Sequence, residues 1–215
     1  MGKKEILRLM IGFRKFHEKY FANEHSLYQR LSSGAGQSPK TLIIGCSDSR
    51  VDPAIITSAS PGELFIVRNV ANLVPPYEKG GGVHGVSAAI EFAIINLKVE
   101  NVIVLGHRQC GGIRALVTNQ GIQAGGFVEQ WVRVASDAKE RVLSKFPEAN
   151  EETLCRHCEM ESIVTSLNNL KTFPFVEAAI KERDLALMGI YFDLEQGQLQ
   201  EYDDKEGVFK NVELI

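Results

Sequence analysis

Two short stretches of this chain concentrate residues that could do chemistry together. CSDSR (46–50) follows the apolar run TLIIG (41–45), and HRQCGG (107–112) follows the apolar run NVIVLG (101–106). If the two runs are neighbouring strands, Cys46, His107 and Cys110 converge on one point. Two thiolates and an imidazole suit zinc, and three protein ligands leave the fourth position to water or substrate. A cysteine nucleophile, Cys46 or Cys110 with His107 as its base, is the competing chemistry. It needs only one cysteine, so the trio fits a metal better. A lone strand-end cysteine is usually a small buried apolar side chain; the matched placement of all three argues for ligands. Asp48 and Arg50 lie two and four residues beyond Cys46. A guanidinium beside a metal can keep that carboxylate ionised and aim its free oxygen at metal-bound water. A structural ion pair closing the loop has the same spacing.

These stretches need elements to position them. TLIIG, LFIVR (64–68), NVIVLG and LALMGIYFD (185–193) are short, mostly apolar runs bounded by turn signals, as expected of parallel strands covered on both faces. Helical patterns lie between them at 83–97, 111–119, 127–146 and 151–170. The alternation predicts an α/β domain with a central, mostly parallel sheet flanked by helices. Ligands in such sheets bind beyond the carboxyl ends of the strands, where Cys46 and His107 fall. Residues 3–31 read as one helix carrying an apolar stripe of Ile6, Leu9, Met10, Phe13, Phe16, Tyr20 and Phe21. That stripe is expected to dock on the body of the protein or on a partner subunit. SSGAGQSPK (32–40) then reads as a loop. The expected division is an arm over 1–33 and a zinc-binding catalytic domain over 34–215.

CSDSRV, FIVRNVANLVPPY, AAIEFA, GHRQCGG and CRHCEMESIVTSLNNLKTFPFV together resemble the β-class carbonic anhydrases, over roughly residues 34–192. The resemblance implies that Cys46, His107 and Cys110 hold one Zn2+ per chain and that Asp48 and Arg50 form the catalytic dyad. It implies four parallel strands plus an edge strand, and a homodimer or larger homo-oligomer whose N-terminal arm lies over the neighbour. Gln37 matches a glutamine that hydrogen-bonds bicarbonate, and Phe65 and Val70 match residues lining the carbon dioxide pocket. Phe92 stands where many members have Tyr, so the apolar wall is kept and the hydroxyl lost. The implied activity is reversible hydration of carbon dioxide by zinc-bound hydroxide. Hydrolysis of carbonyl sulfide or carbon disulfide on the same scaffold is the nearest alternative. In one branch of the family the Asp48 equivalent closes the site by taking the fourth zinc position, helped by a Trp three residues before the first cysteine ligand. Here that position is Ile43, and the single Trp is Trp131. Together with Gln37 this points to the plant-type-like branch with an open site, in which Asp48 stays on Arg50.

Carbon dioxide is small, apolar and uncharged, so a greasy pocket suits it. Two thiolates cancel more of the metal charge than imidazoles would, which leaves bound water less acidified and gives Asp48 more to do. The rest of the chain fits this class. A chain of 215 residues can bury roughly 70% of its unfolded surface and needs no disulfide staples. A net charge of -3 gives no basic field for nucleic acid or anionic lipid. MGKKEILRLMIGF is too short an apolar run for a signal peptide, and Ile6 spoils a myristoylation motif at Gly2. No run approaches the roughly 20 apolar residues of a membrane span, so the cytoplasm is the expected location. Its four cysteines are then expected as thiols or ligands.

Other features read as structural. GGGVHG (80–85) satisfies GxGxxG but follows PPYEK rather than a strand. Cys155 and Cys158 flank His157 inside a helical pattern and are expected to pack. His17, His25 and His84 have no ligand-like spacing, and Trp131 is expected in the core or an interface. EYDDKEG (201–207) reads as a solvated turn.

Overall fold

The computed structural model describes residues 2–21, 26–34, 36–80 and 82–213. His25 and Gly81 therefore lie outside the described residues. Among the described residues, six strands form one sheet in the order β2-β1-β3-β4-β5-β6. They are β1 (Thr41–Cys46), β2 (Leu64–Asn69), β3 (Asn101–His107), β4 (Ala186–Asp193), β5 (Gln198–Asp203) and β6 (Val208–Asn211). The first four are parallel, and β5 and β6 return antiparallel. A single edge strand was expected beyond the parallel four; the structure has two. EYDDKEG is not wholly a turn: Glu201–Asp203 complete β5, and Tyr202 packs against the core.

The helices are α1 (Gly2–Phe21), α2 (Leu27–Ser32), α3 (Pro53–Ile56), α4 (Gly85–Glu91), α5 (Gly111–Thr118), α6 (Phe127–Val132), α7 (Ser136–Lys145), α8 (Glu151–Lys171) and α9 (Pro174–Arg183). The helix expected over 3–31 is two helices. Ser26 starts α2 with a capping box, its hydroxyl accepting from Gln29 N and the Gln29 side chain accepting from Ser26 N. Past Glu91, α4 widens into a π-turn over Phe92–Asn96. The long helix expected over 127–146 is α6 and α7 joined by a 3-10 turn at Arg133–Ala135.

Helix α8 is the central support. Cys155, Cys158, Ile163, Leu167 and Leu170 are buried along it, and two glycines let it approach the sheet closely. A Cβ on Gly106 of β3 would stand 2.7 Å from Ile163 Cδ1, and one on Gly189 of β4 would stand 2.8 Å from Ile163 Cγ2. One core joins Leu42, Ile44, Val102 and Val104 of the strands to Ile90, Ile94, Ile163, Phe173 and Val176 of the helices. A second, at the carboxyl end, gathers Cys46, Leu73, Cys110, Ile113, Val132 and Val142. Along β4, Gly189, Tyr191 and Asp193 are buried while Met188, Ile190 and Phe192 are only half-buried. Burial on both faces therefore fails for this strand within one chain.

Candidate metal centre

Strands β1 and β3 are hydrogen-bonded neighbours in parallel register. Their carboxyl ends are level, so the residues that follow meet above the sheet. Cys46 ends β1, His107 ends β3, and Cys110 caps the start of α5. One ligand atom from each, all buried, lies within 4.8 Å of the others. Cys46 Sγ and Cys110 Sγ are 3.9 Å apart. Two sulfurs on one tetrahedral zinc stand roughly 3.8 Å apart, so the spacing fits. His107 Nδ1 lies 2.8 Å from the carbonyl of Arg108. A carbonyl can only accept, so Nδ1 carries the proton and the Nε2 lone pair is free. Nε2 is buried and has no hydrogen-bond partner, a costly state for a polar atom unless something coordinates it.

The electrostatics agree. A hydrogen bond from the Cys110 thiol holds the Cys46 thiol well below its ordinary range, against the cost of burial. Cys110 is raised by that same bond and by burial, so the two sulfurs share one proton. Burial pulls His107 down, but the Cys46 sulfur beside it and the negative charge there turn the net shift upward. A divalent cation at this point would take both sulfurs as thiolates and displace the proton.

Asp48 is bound to Arg50 three times. Its Oδ1 accepts from the backbone N at 2.9 Å and from Nε at 3.0 Å, and its Oδ2 accepts from Nη2 at 2.8 Å. These bonds hold the carboxyl far below the usual carboxylate range. The loop is tied from the neighbouring strand by Arg68, whose guanidinium donates to Cys46 O, Asp48 O and Asp52 Oδ2. Sequence reasoning passed over Arg68; its signal was a charged residue ending an apolar strand.

The four residues matched to a substrate pocket do not gather around the cluster. Val70 alone sits beside it, packed where a Cβ on Gly112 would come 2.7 Å from Val70 Cγ1. Val70 belongs to a strained turn in which Ala71 and Asn72 have φ of 65° and 49°. That turn is fixed by the Asn69 side chain, which bonds both backbone groups of Leu73, and by Trp131 Nε1 donating to Val70 O. Phe65 and Phe92 stack on one another with centroids 5.9 Å apart. Phe65 pairs with Leu42 while Cys46 pairs with Asn69, so Phe65 lies about 13 Å down the strand from the cluster's level. Gln37 is exposed on the segment leading into β1.

Other residues behave as the sequence suggested. Cys155 and Cys158 are buried on α8, and burial pushes the Cys158 thiol up to about 12. His157 stacks on Phe146 and His17 on Phe21. Glu159 was missed: buried on α8, it accepts from the Cys110 backbone N at 3.0 Å and from the Tyr191 hydroxyl at 2.8 Å.

A mostly parallel sheet whose strand ends bring two thiols, an imidazole and an arginine-held carboxylate together is the arrangement of an α/β enzyme with a candidate metal centre. The chain belongs to the β-carbonic anhydrase family: the family model described as carbonic anhydrase matches residues 41–199. It is 36% identical to a carbonic anhydrase of Synechocystis sp. over 197 residues, 91% of this chain and 70% of that protein. Its fold is similar to that of the β-carbonic anhydrase CcaA, with a TM-score of 0.90 and 34% identity over 98% of this chain and 93% of that one. A tetrameric β-carbonic anhydrase of Sordaria macrospora matches with a TM-score of 0.78 and 26% identity, covering 97% of this chain and 98% of that one.

Proposed function

We propose that this chain catalyses zinc-dependent, reversible hydration of carbon dioxide to bicarbonate and a proton. The observation that carries the reading is the buried, unpartnered Nε2 of His107 beside two sulfurs at zinc-like spacing. Cys46, His107 and Cys110 would hold one zinc, with the His107 tautomer set by the Arg108 carbonyl. Zinc, when bound, acidifies a coordinated water so that a nucleophile is available near neutral pH. Asp48, kept ionised by Arg50, accepts a hydrogen bond from the attacking water and fixes the direction of its lone pair. The three bonds to Arg50 also oppose any move of Asp48 towards the metal, which favours the open site.

Substrate is held by an apolar wall contributed across a subunit boundary. Val70 serves its own site, whereas Phe65 and Phe92 are too far down the sheet to do so. Strand β2 is a sheet edge, and Ile66, Phe92 and Ile95 are exposed near it. A second copy packed there would receive Phe65 and Phe92 in its pocket, with Gln37 placed to bond bicarbonate. The arm, residues 1–33, supports the same assembly: Leu9 is 70% and Phe13 61% exposed in the single chain. An apolar surface of this kind marks an interface, and we infer a homodimer or larger. No described helix is long and apolar enough to cross a membrane. The free cysteines and the thiolate chemistry suit a reducing cytoplasm.

The test is carbon dioxide hydration by the purified protein before chelation, after it, and after zinc is restored. Activity that follows zinc, at one zinc per chain, is expected. Activity that survives complete metal removal would end the zinc reading, and two zincs per chain would end the single-site reading.

A further inference from the structure

Arg50 has more donors than Asp48 uses. Its Nε and one Nη2 hydrogen go to the carboxylate, and its outer edge is taken by one residue, Gln109. Arg50 Nη1 donates to Gln109 Oε1 and Nη2 to Gln109 O, both at 3.2 Å. Gln109 offers both oxygens to one guanidinium from a backbone with φ of 59°, in the left-handed region. That conformation is natural for glycine, and a glycine there would lack the side-chain oxygen. The amide end of Gln109 is anchored in turn: Nε2 donates to Glu195 Oε1, just past β4. Glu195 Oε2 pairs with Arg108 at 2.9 Å, and Arg108 also meets Asp193 and Glu152. Arg50 and Gln109 are both exposed, so without this chain of partners the guanidinium would compete freely with water for its contacts.

We propose that Gln109 is a positioning residue for the hydration reaction: it clamps the outer edge of Arg50, so that Asp48 is held in one orientation, and Glu195 and Arg108 anchor the clamp. Gln109 lies between the ligands His107 and Cys110, so the clamp joins the two ligand-bearing loops through the dyad. The inference rests on the Asp48–Arg50 reading above.

The test combines Gln109→Gly with a reciprocal exchange, assayed on zinc-loaded protein in concentrated buffer so that proton removal does not limit. Gln109→Gly relieves the backbone and removes only the side-chain contacts. Its kcat is expected to fall roughly three- to tenfold, the scale of one ordinary intramolecular hydrogen bond, with KM and zinc content little changed and thermal stability kept or raised. A crystal structure of that variant should show the Arg50 guanidinium turned from its present orientation. Gln109→Glu alone sets a carboxylate against Glu195 and should also be slow. Adding Glu195→Gln restores the same hydrogen bond with donor and acceptor exchanged, and should recover most of the lost kcat. Unchanged kcat in Gln109→Gly, or a double variant no faster than Gln109→Glu, would overturn the clamp. Asp48→Asn separates the two levels. If it is slow while Gln109→Gly is normal, only the clamp fails; if it is itself near normal, the dyad reading fails first.

Discussion

Asp48 has three hydrogen bonds from a single arginine, which leaves the direction of its lone pairs fixed rather than averaged. Asp48→Asn keeps the shape and removes the charge. Turnover should fall more than about tenfold, a threshold set below the roughly 10²–10⁴-fold of general-base effects, with zinc content intact. Near-normal turnover at full zinc would reduce Asp48 to a loop residue. Glu159 gives a second expectation. Burial raises its carboxyl from the ordinary 4.5 to about 7. The folded, metal-free chain then holds a proton that the unfolded chain has lost, so stability falls as pH rises from about 4.5 to about 7. Relative to Glu159→Gln, whose amide can serve both partners without ionising, the natural chain should lose on the order of 3 kcal/mol across that window. Thermal melting of both metal-free proteins between pH 5 and 8 measures it; parallel profiles would mean that Glu159 stays ionised. Cys46, Asp48, Arg50, His107 and Cys110 were legible because strand ends announce themselves by pattern and the chemistry follows at once. Glu159 and Glu195 were not, because their partners stand 49 and 86 residues away in sequence and no periodicity links them.

The parallel order of β1 to β4 and the helices between them follow from hydrophobic pattern, and those elements were legible. The misses share a cause: the deciding signal was one residue set against a pattern that continued. Ser26 breaks an otherwise helical stretch by capping. Pro174 starts α9 just past the end of α8 at Lys171, where the helical pattern runs on. The polar β5–β6 hairpin has no core periodicity because it borders solvent. Helix α8 was foreseen, but its closeness to the sheet was not. A Cβ on Gly189 would lie 2.8 Å from Ile163 Cγ2, 3.0 Å from Leu167 Cδ1 and 3.3 Å from Tyr202 Cβ. Gly189→Ala should therefore cost about 1–3 kcal/mol, as overpacking does. Chemical denaturation reads this directly, and an unmoved midpoint would show that α8 can retreat without penalty.

Among the described residues, the α1 arm and the β2 edge with its neighbouring π-turn present exposed apolar side chains. Gel filtration or light scattering of the natural chain should give a dimer or larger species. Removing residues 1–33 should weaken that assembly, and a stable, fully active monomer would refute the shared pocket. The register of β2 has a sharper consequence. With Phe65 opposite Leu42 and Asn69 opposite Cys46, the proposed shared pocket would give each subunit the metal end of one site and the wall of another. Two differently damaged chains should then complement each other. Cys46→Ser spoils only the metal half and Phe65→Trp only the wall half, so each homodimer is inactive. Their hybrid gathers both lesions in one site and leaves the other whole. Co-refolding the two dead proteins should restore activity approaching one intact site per hybrid pair; mixing that restores nothing would place both halves of each site in one chain.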